Sequence, residues 1–244
     1  MNNRTGIIAA MVSELRNLAS SLHHERTEKI AGKEIHYGHL EGQPVAIVLC
    51  GCGKVNAAHS ATLLACHAKV SRILVTGVSG GLAEGLKVGD IVIGDSFVQH
   101  DMDTRPLFPL HEIPFEGFSM IDADPDLRHL MAESARGMLH AQRPPGLENA
   151  RVFEGLVVSG DQFLSSNEAR TRVQESLPKA SCVDMESAAV AQVCRAADLP
   201  LGVVRVISDS ADGSAHIDFA KFVEISASKA CAETVRHALR ALKD

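Results

Sequence analysis

The 244-residue sequence contains no tryptophan, a single tyrosine and only 4% aromatic residues. That scarcity leaves no row of flat side chains on which successive bases of a nucleic-acid strand could stack. There is no long basic run either, and a formal net charge of −6 argues against a nucleic-acid or anionic-membrane partner. No apolar stretch approaches the ~20 residues that a membrane span needs. A strand-like run at Gly6 to Ala10 leaves no room ahead of it for a charged region, a hydrophobic stretch and a cleavage site. The expectation is a cytoplasmic protein acting on a small molecule. Metal-ligand spacing is also missing: Cys50 and Cys52 form a C-x-C, but no second Cys or His pair follows at a matching interval. The six cysteines read as reduced thiols inside apolar strand and helix patterns. His100, Asp101 and Asp103 offer ligand atoms, yet nothing completes a shell around them, so neither metal nor cofactor is expected.

What the chain does have is enough apolar material, 45% against 22% charged, to build a sizeable core. Its length suits one α/β domain, residues 1–244. Buried strands are expected at Thr5 to Ala10, Arg72 to Thr76, Val88 to Phe97, Phe153 to Ser159, Ser181 to Asp184 and Leu201 to Ile207. Lys33 to Leu40 and Pro44 to Leu49 read as a hairpin. Helices are expected after Ser13 as far as Leu22, over Lys54 to His67, Asp126 to Leu139, from Ser166 or Asn167 towards Glu175, over Met185 to Ala197 and over Asp218 to Leu242. Thr76 leads into Gly77, Val78, Ser79, Gly80 and Gly81, a turn whose backbone a ligand can approach closely. Asp101 to Pro125 has four prolines and no periodicity. Alternating strands and helices predict a three-layer α/β/α domain with a central twisted mixed sheet, largely parallel, with antiparallel members from the hairpin.

The chemistry concentrates after three buried strands. Leu201 to Ile207 carries Arg205 within an apolar run and ends in Ser208 and Asp209, a carboxylate delivered to the strand edge where open α/β sheets bind ligands. An Asp held there in a dry environment has a raised pKa and donates a proton. Capping the next turn is the simpler role for such a residue. Glu14 and Glu186 each open a helix, where an acidic residue favours the helix dipole by roughly 0.3 to 1 kcal/mol. Three carboxylates converging on one edge exceed what capping needs. Gly51 to Asn56 lacks the third glycine of the dinucleotide fingerprint, and Lys54 lacks the spacing of a phosphate loop.

Seven segments, in this order, resemble the methylthioadenosine/S-adenosylhomocysteine nucleosidases of the nucleoside phosphorylase superfamily. They are Gly6 to Glu14, Gly51 to Ala58, Thr76 to Gly81, Val88 to Asp90, Ser159 to Phe163, Val183 to Ala188 and Arg205 to Asp209. The resemblance covers essentially the whole chain. It implies hydrolysis of an N-glycosidic bond, with Asp209 protonating adenine at N7 beside Ser208, and Glu14 deprotonating the attacking water. Glu186 would bind the ribose hydroxyls beside Met185, Phe163 would stack on the purine, and Leu164 would bond its edge through the backbone. Arg205 would organise the carboxylates; Val78, Ser79 and Gly80 would line the site; Met11, Cys52 and Phe219 would border the ribose or 5′ substituent. Val78 stands where the family often has a hydroxyl residue, Ser79 where it has Ala, and Cys52 where a larger aliphatic residue is common. A homodimer whose 101–125 loop closes the neighbouring site is also implied. The chemistry agrees: an oxocarbenium-like sugar calls for an acid on the leaving group and a carboxylate on the water. An Asp of ordinary pKa, roughly 3.9, is protonated in only about one molecule in 10³ at pH 7. Phosphorolysis of a purine nucleoside, hydrolysis of AMP or futalosine-type nucleosides, and a catalytically silent nucleoside-binding protein are the rival readings.

Overall fold

Thr5–Ala9 (β1) is buried along its whole length, as an apolar strand flanked by two parallel neighbours should be. Those neighbours are Gln43–Leu49 (β4) and Arg72–Gly81 (β5). The computed structural model describes residues 3–141, 143–211, 222 and 226–242. Lys33–Leu40 (β3) forms the expected hairpin with β4. Beyond it lies His23–Ile30 (β2), a strand that no apolar pattern announces. Its sequence is charged and its side chains are mostly exposed, which suits an edge that must not pair with another chain.

On the other side of β5 the sheet does something the strand pattern does not foretell. Leu201–Asp209 (β10) pairs parallel with β5 and antiparallel with Ile91–Gln99 (β6). Val152–Ser159 (β8) and Ala180–Asp184 (β9) carry the sheet from β6 back to β5. The five strands therefore close into a barrel-like ring, with β1, β4, β3 and β2 as an extension. Met120–Asp122 (β7) adds a short antiparallel strand to β6 inside the 101–125 segment. The sheet is mixed, as expected. It is not largely parallel, because antiparallel pairings arise at β10–β6, β5–β9 and β6–β7 as well as in the hairpin.

Helices pack on both faces. Val12–Ala19 (α1), Pro125–Ala141 (α3) and Ser228–Ala241 (α6) cover one; Lys54–Thr62 (α2) and Ser187–Ala196 (α5) cover the other. Consecutive strand residues serve opposite layers, Ile7 with the α1/α3/α6 side and Ile8 with the α2/α5 side, the alternation that a pleated strand imposes. Asn167–Ser176 (α4) begins at Ser166, whose hydroxyl accepts the Ala169 N–H at 3.2 Å. α2 runs on into a π-helical turn at Leu63–His67. Several helix bounds differ from expectation; α5, for one, starts at Ser187 rather than Met185. α1 starts after Met11 rather than Ser13 and ends at Ala19, before Leu22. Most of 218–225, the expected start of the last helix, lies outside the described residues, and Phe219 with it.

Four cysteines, Cys50, Cys182, Cys194 and Cys231, are free and buried, but Cys52 and Cys66 are exposed, against the expectation of six core thiols. Asp101 is engaged by the Lys54 ammonium at 2.6 Å and the Asp161 N–H at 2.9 Å, and Asp103 by Arg105.

Candidate active site

Glu14 owes its position to the first turn of α1. Its Oε2 accepts the N–H groups of Ala10 and Met11, each at 2.9 Å, satisfying donors that a helix start leaves over. The side chain is 1% exposed, and Oε1 has no hydrogen-bond partner among the described residues. Burial raises its pKa, against the charge of Arg205 and the N–H groups of Met11 and Ala10. The helix begins on this carboxylate rather than on Ser13, whose hydroxyl finds no partner among the described residues.

Arg205 enters from the middle of β10 and is also 1% exposed. Its Nη2 lies 2.7 Å from Asp184 Oδ2 and 3.4 Å from Glu186 Oε2, and it donates to Ser187 Oγ at 2.9 Å. Burial works against its charge, but the carboxylates of Asp184, Glu186 and Glu14 outweigh it and push its pKa up. Gly77 of β5 makes room for this convergence. A Cβ there would stand 2.5 Å from Arg205 Nη1 and 2.9 Å from Glu14 Oε1.

Glu186 follows β9 and is 4% exposed. Its Oε1 accepts the Gly53 N–H at 3.1 Å; Gly53 has φ 98°, a conformation that favours glycine. Burial pushes its pKa up to about 7, with Arg205 opposing and Asp184 adding to the rise. At the end of β10, Ser208 Oγ donates to Asp209 Oδ2 at 2.8 Å, and Asp209 Oδ1 accepts the Ala211 N–H at 2.8 Å. Asp209 is 6% exposed.

These groups border an open cleft at the carboxyl ends of β9 and β10. Of the residues named from sequence, Val78, Ser79, Gly80, Phe163, Leu164, Met185, Glu186, Ser208 and Asp209 line it. Glu14 and Arg205 lie buried beside Gly77, next to that wall. Met11 and Cys52 do not line the cleft. Met11 instead presents its N–H to Glu14, and the Cys52 thiol feels the charges of Glu186 and Glu14. Thr76 to Gly81 is no turn: β5 continues through it, paired with β10 and β9. Phe163 is half exposed at the mouth.

Sequence reasoning missed Asp184. Its Oδ1 accepts the N–H groups of Glu186 and Ser187, each at 3.1 Å, while the hydroxyls of Ser159 and Ser187 also donate to it. An Asp two and three residues ahead of a helix's first N–H groups is a capping signal, and that was the available clue.

The model of the phosphorylase superfamily matches residues 4–240. Among solved structures the chain is similar to the 5′-methylthioadenosine/S-adenosylhomocysteine nucleosidase of Neisseria meningitidis in complex with methylthio-immucillin-A. Identity is 31% and the TM-score 0.90, over 98% of this chain and 100% of that one. It is similar to the S-adenosylhomocysteine nucleosidase of Streptococcus pyogenes in complex with 5-methylthiotubericidin (28% identity, TM-score 0.90, 100% and 98% of the chains). A third likeness is the futalosine hydrolase of Helicobacter pylori (29% identity, TM-score 0.88, 99% of each chain).

Proposed function

This chain belongs to the phosphorylase superfamily, and from that footing we propose that it hydrolyses the N-glycosidic bond of 5′-methylthioadenosine and S-adenosylhomocysteine, releasing adenine and the thioribose product. One observation carries hydrolysis over phosphorolysis. Arg205, behind the wall of the cleft, is engaged by Asp184, Glu186 and Ser187, and no cationic side chain among the described residues lines the cleft itself. Beside Arg205 stands Oε1 of buried Glu14, which has no hydrogen-bond partner among the described residues. A phosphate would meet carboxylate there; a water would meet a base.

In the proposed reaction Asp209 gives its proton to N7 of the purine as the C1′–N9 bond breaks, and the bonding electrons leave with the base. Ser208, 2.8 Å from Asp209 Oδ2, orients that carboxyl. Water adds to C1′ and passes a proton to Glu14 Oε1, whose burial strengthens it as a base. Proton exchange with solvent then restores both groups. Glu186 accepts the ribose hydroxyls beside Met185, an interaction that strengthens as the sugar becomes oxocarbenium-like. Phe163 stacks on the purine and the Leu164 backbone bonds its edge. Val78, Ser79 and Gly80 line the wall, while Met11, Cys52 and Phe219 border the ribose and 5′ side.

Residues 1–244 act as one catalytic domain in this reading, in the cytoplasm, as a homodimer serving methionine salvage. Leu107 and Phe115 in the 101–125 segment are 83% and 93% exposed, apolar surface of the kind that marks an interface. This segment is proposed to close the neighbour's alkylthio pocket. No helix among the described residues is long and apolar enough to cross a membrane. Chromatography of products from methylthioadenosine, with and without phosphate, tests the reaction. Adenine without phosphate supports it, and phosphate-dependent release would replace it with phosphorolysis. Futalosine in parallel tests the second reading, which the Helicobacter likeness favours. Sedimentation of active enzyme as a monomer would remove the dimer.

A further inference from the structure

One guanidinium nitrogen serves two buried carboxylates unequally. Arg205 Nη2 is 2.7 Å from Asp184 Oδ2 and 3.4 Å from Glu186 Oε2. Ser187 Oγ reinforces the bias, accepting from Arg205 Nε at 3.2 Å and Nη2 at 2.9 Å while donating to Asp184. Asp184 is itself immobilised by two backbone N–H groups and the Ser159 hydroxyl. Glu186, in contrast, has among the described residues only the Gly53 N–H on Oε1 and the long contact to Arg205 on Oε2. We propose that Asp184 is a positioning residue: by holding Arg205 on its own side it keeps the guanidinium off Glu186, leaving that carboxylate open to the ribose hydroxyls.

An anion tied into a short pair with Arg205 would accept hydroxyl hydrogen bonds poorly, since a charge already neutralised at close range has less to offer a second donor. The groups facing Glu186 among the described residues are Arg205 from β10, Asp184 at the end of β9, Glu14 from α1 and the thiols of Cys50 and Cys52 after β4. Asp184 raises the pKa of Glu186 and Arg205 lowers it. Removing the negative charge of Asp184 lifts the repulsion and frees Arg205, and both changes favour ionised Glu186.

This inference rests on the nucleosidase reading, so its test has one arm without turnover. Asp184→Asn retains an oxygen for the Glu186 and Ser187 N–H groups. Carboxyl 13C NMR of Glu186 in the substrate-free variant should place its titration about one pH unit lower than in the wild type. The acidic limb of kcat/KM should move the same way, since that profile reports the free enzyme. KM should rise roughly tenfold above the limb, with kcat changed less, because Arg205 now covers Glu186. A purely structural role predicts a lower Tm with an unmoved limb; displacement of Arg205 from both carboxylates predicts a limb shifted upward. Either result overturns the proposal. If Asp184→Asn does not fold, Ser187→Ala removes the hydroxyl that biases Arg205 without touching a charge, and a smaller downward shift is expected; none, or an upward one, also overturns it. Wild-type protein that releases no adenine would overturn the function instead, leaving the NMR arm to decide the role of Asp184.

Discussion

Replacing Glu186 by Gln should make the protein more stable at pH 8 while disabling it. Burial raises the Glu186 carboxyl from its ordinary 4.5 to about 7. For a carboxyl raised on folding, the stabilising contribution is fully present below the unfolded value and lost as pH climbs through the folded one. The window therefore runs from about 4.5 to 7. At ~1.4 kcal/mol per pH unit, the ionised side chain costs up to ~3 kcal/mol at pH 8.

An amide of the same shape avoids that cost and still accepts the Gly53 N–H, but it gives up the charge on the 3.4 Å contact with Arg205. A net gain of about 1–2 kcal/mol remains, an exposed-to-buried carboxylate penalty less a lost charged contact. For a chain of this size that is roughly 3–6 °C in Tm. At pH 4.5 the wild-type carboxyl is protonated and resembles the amide, so the two proteins should melt together. Thermal unfolding of both proteins at the two pH values measures this directly. A lower Tm for the variant at pH 8, or the same gain at both pH values, would refute the reasoning. Adenine release should meanwhile fall by roughly 10² in kcat/KM, the scale of losing a charged acceptor for the ribose hydroxyls.

Three further substitutions separate chemistry from architecture. Asp209→Asn should bind substrate normally but turn over about 10² to 10⁴ times more slowly, the usual loss with a general acid; near-normal steady-state turnover would move the acid role elsewhere. Glu14→Gln keeps an oxygen for the Ala10 and Met11 N–H groups, so stability should hold within about 1 kcal/mol while turnover collapses. A lowered Tm with intact turnover would leave Glu14 as a capping residue only. Gly77→Ala drives a methyl into Arg205 and Glu14, and a cost of about 1–3 kcal/mol should accompany loss of adenine release; an active, unshifted variant would show that the two side chains can yield.

How much of this was readable in advance depends on what each residue signals. β10 was legible because nine consecutive buried residues leave an apolar run in which Arg205 stands out. Its two partners were not, since periodicity reports that a strand exists and is silent on what it pairs with. The ring closure stayed hidden for that reason. β2 escaped because an exposed edge needs no apolar face. Ser13 looked like the cap by residue type, whereas the structure assigns that task to Glu14 reaching back over the turn. Gly77 sat in a glycine-rich string that suggested a turn; its purpose lies in two side chains arriving from Arg205 and Glu14, far away in sequence.

The same strand explains why the carboxylates that sequence suggested do come together. Arg205 and Asp209 are four residues apart on β10, about 13 Å along an extended strand. A bulge between Ile207 and Asp209 shifts the register against β5, and bulges re-aim side chains. β10 thus holds the guanidinium of the proposed sugar end and the proposed base-end acid on one backbone, at a separation comparable to a nucleoside. β5 supplies the facing wall: Arg205 registers with Gly77 and Asp209 with Gly80. A Cβ at Gly80 would stand 3.0 Å from Asp209 Oδ1, as one at Gly77 would stand 2.5 Å from Arg205. Two glycines on one strand therefore make room for the two functional ends of the next. The pairing of β5 with β10 fixes the spacing of these two ends, so a change in that register would move the proposed acid relative to the proposed sugar site even with every side chain retained.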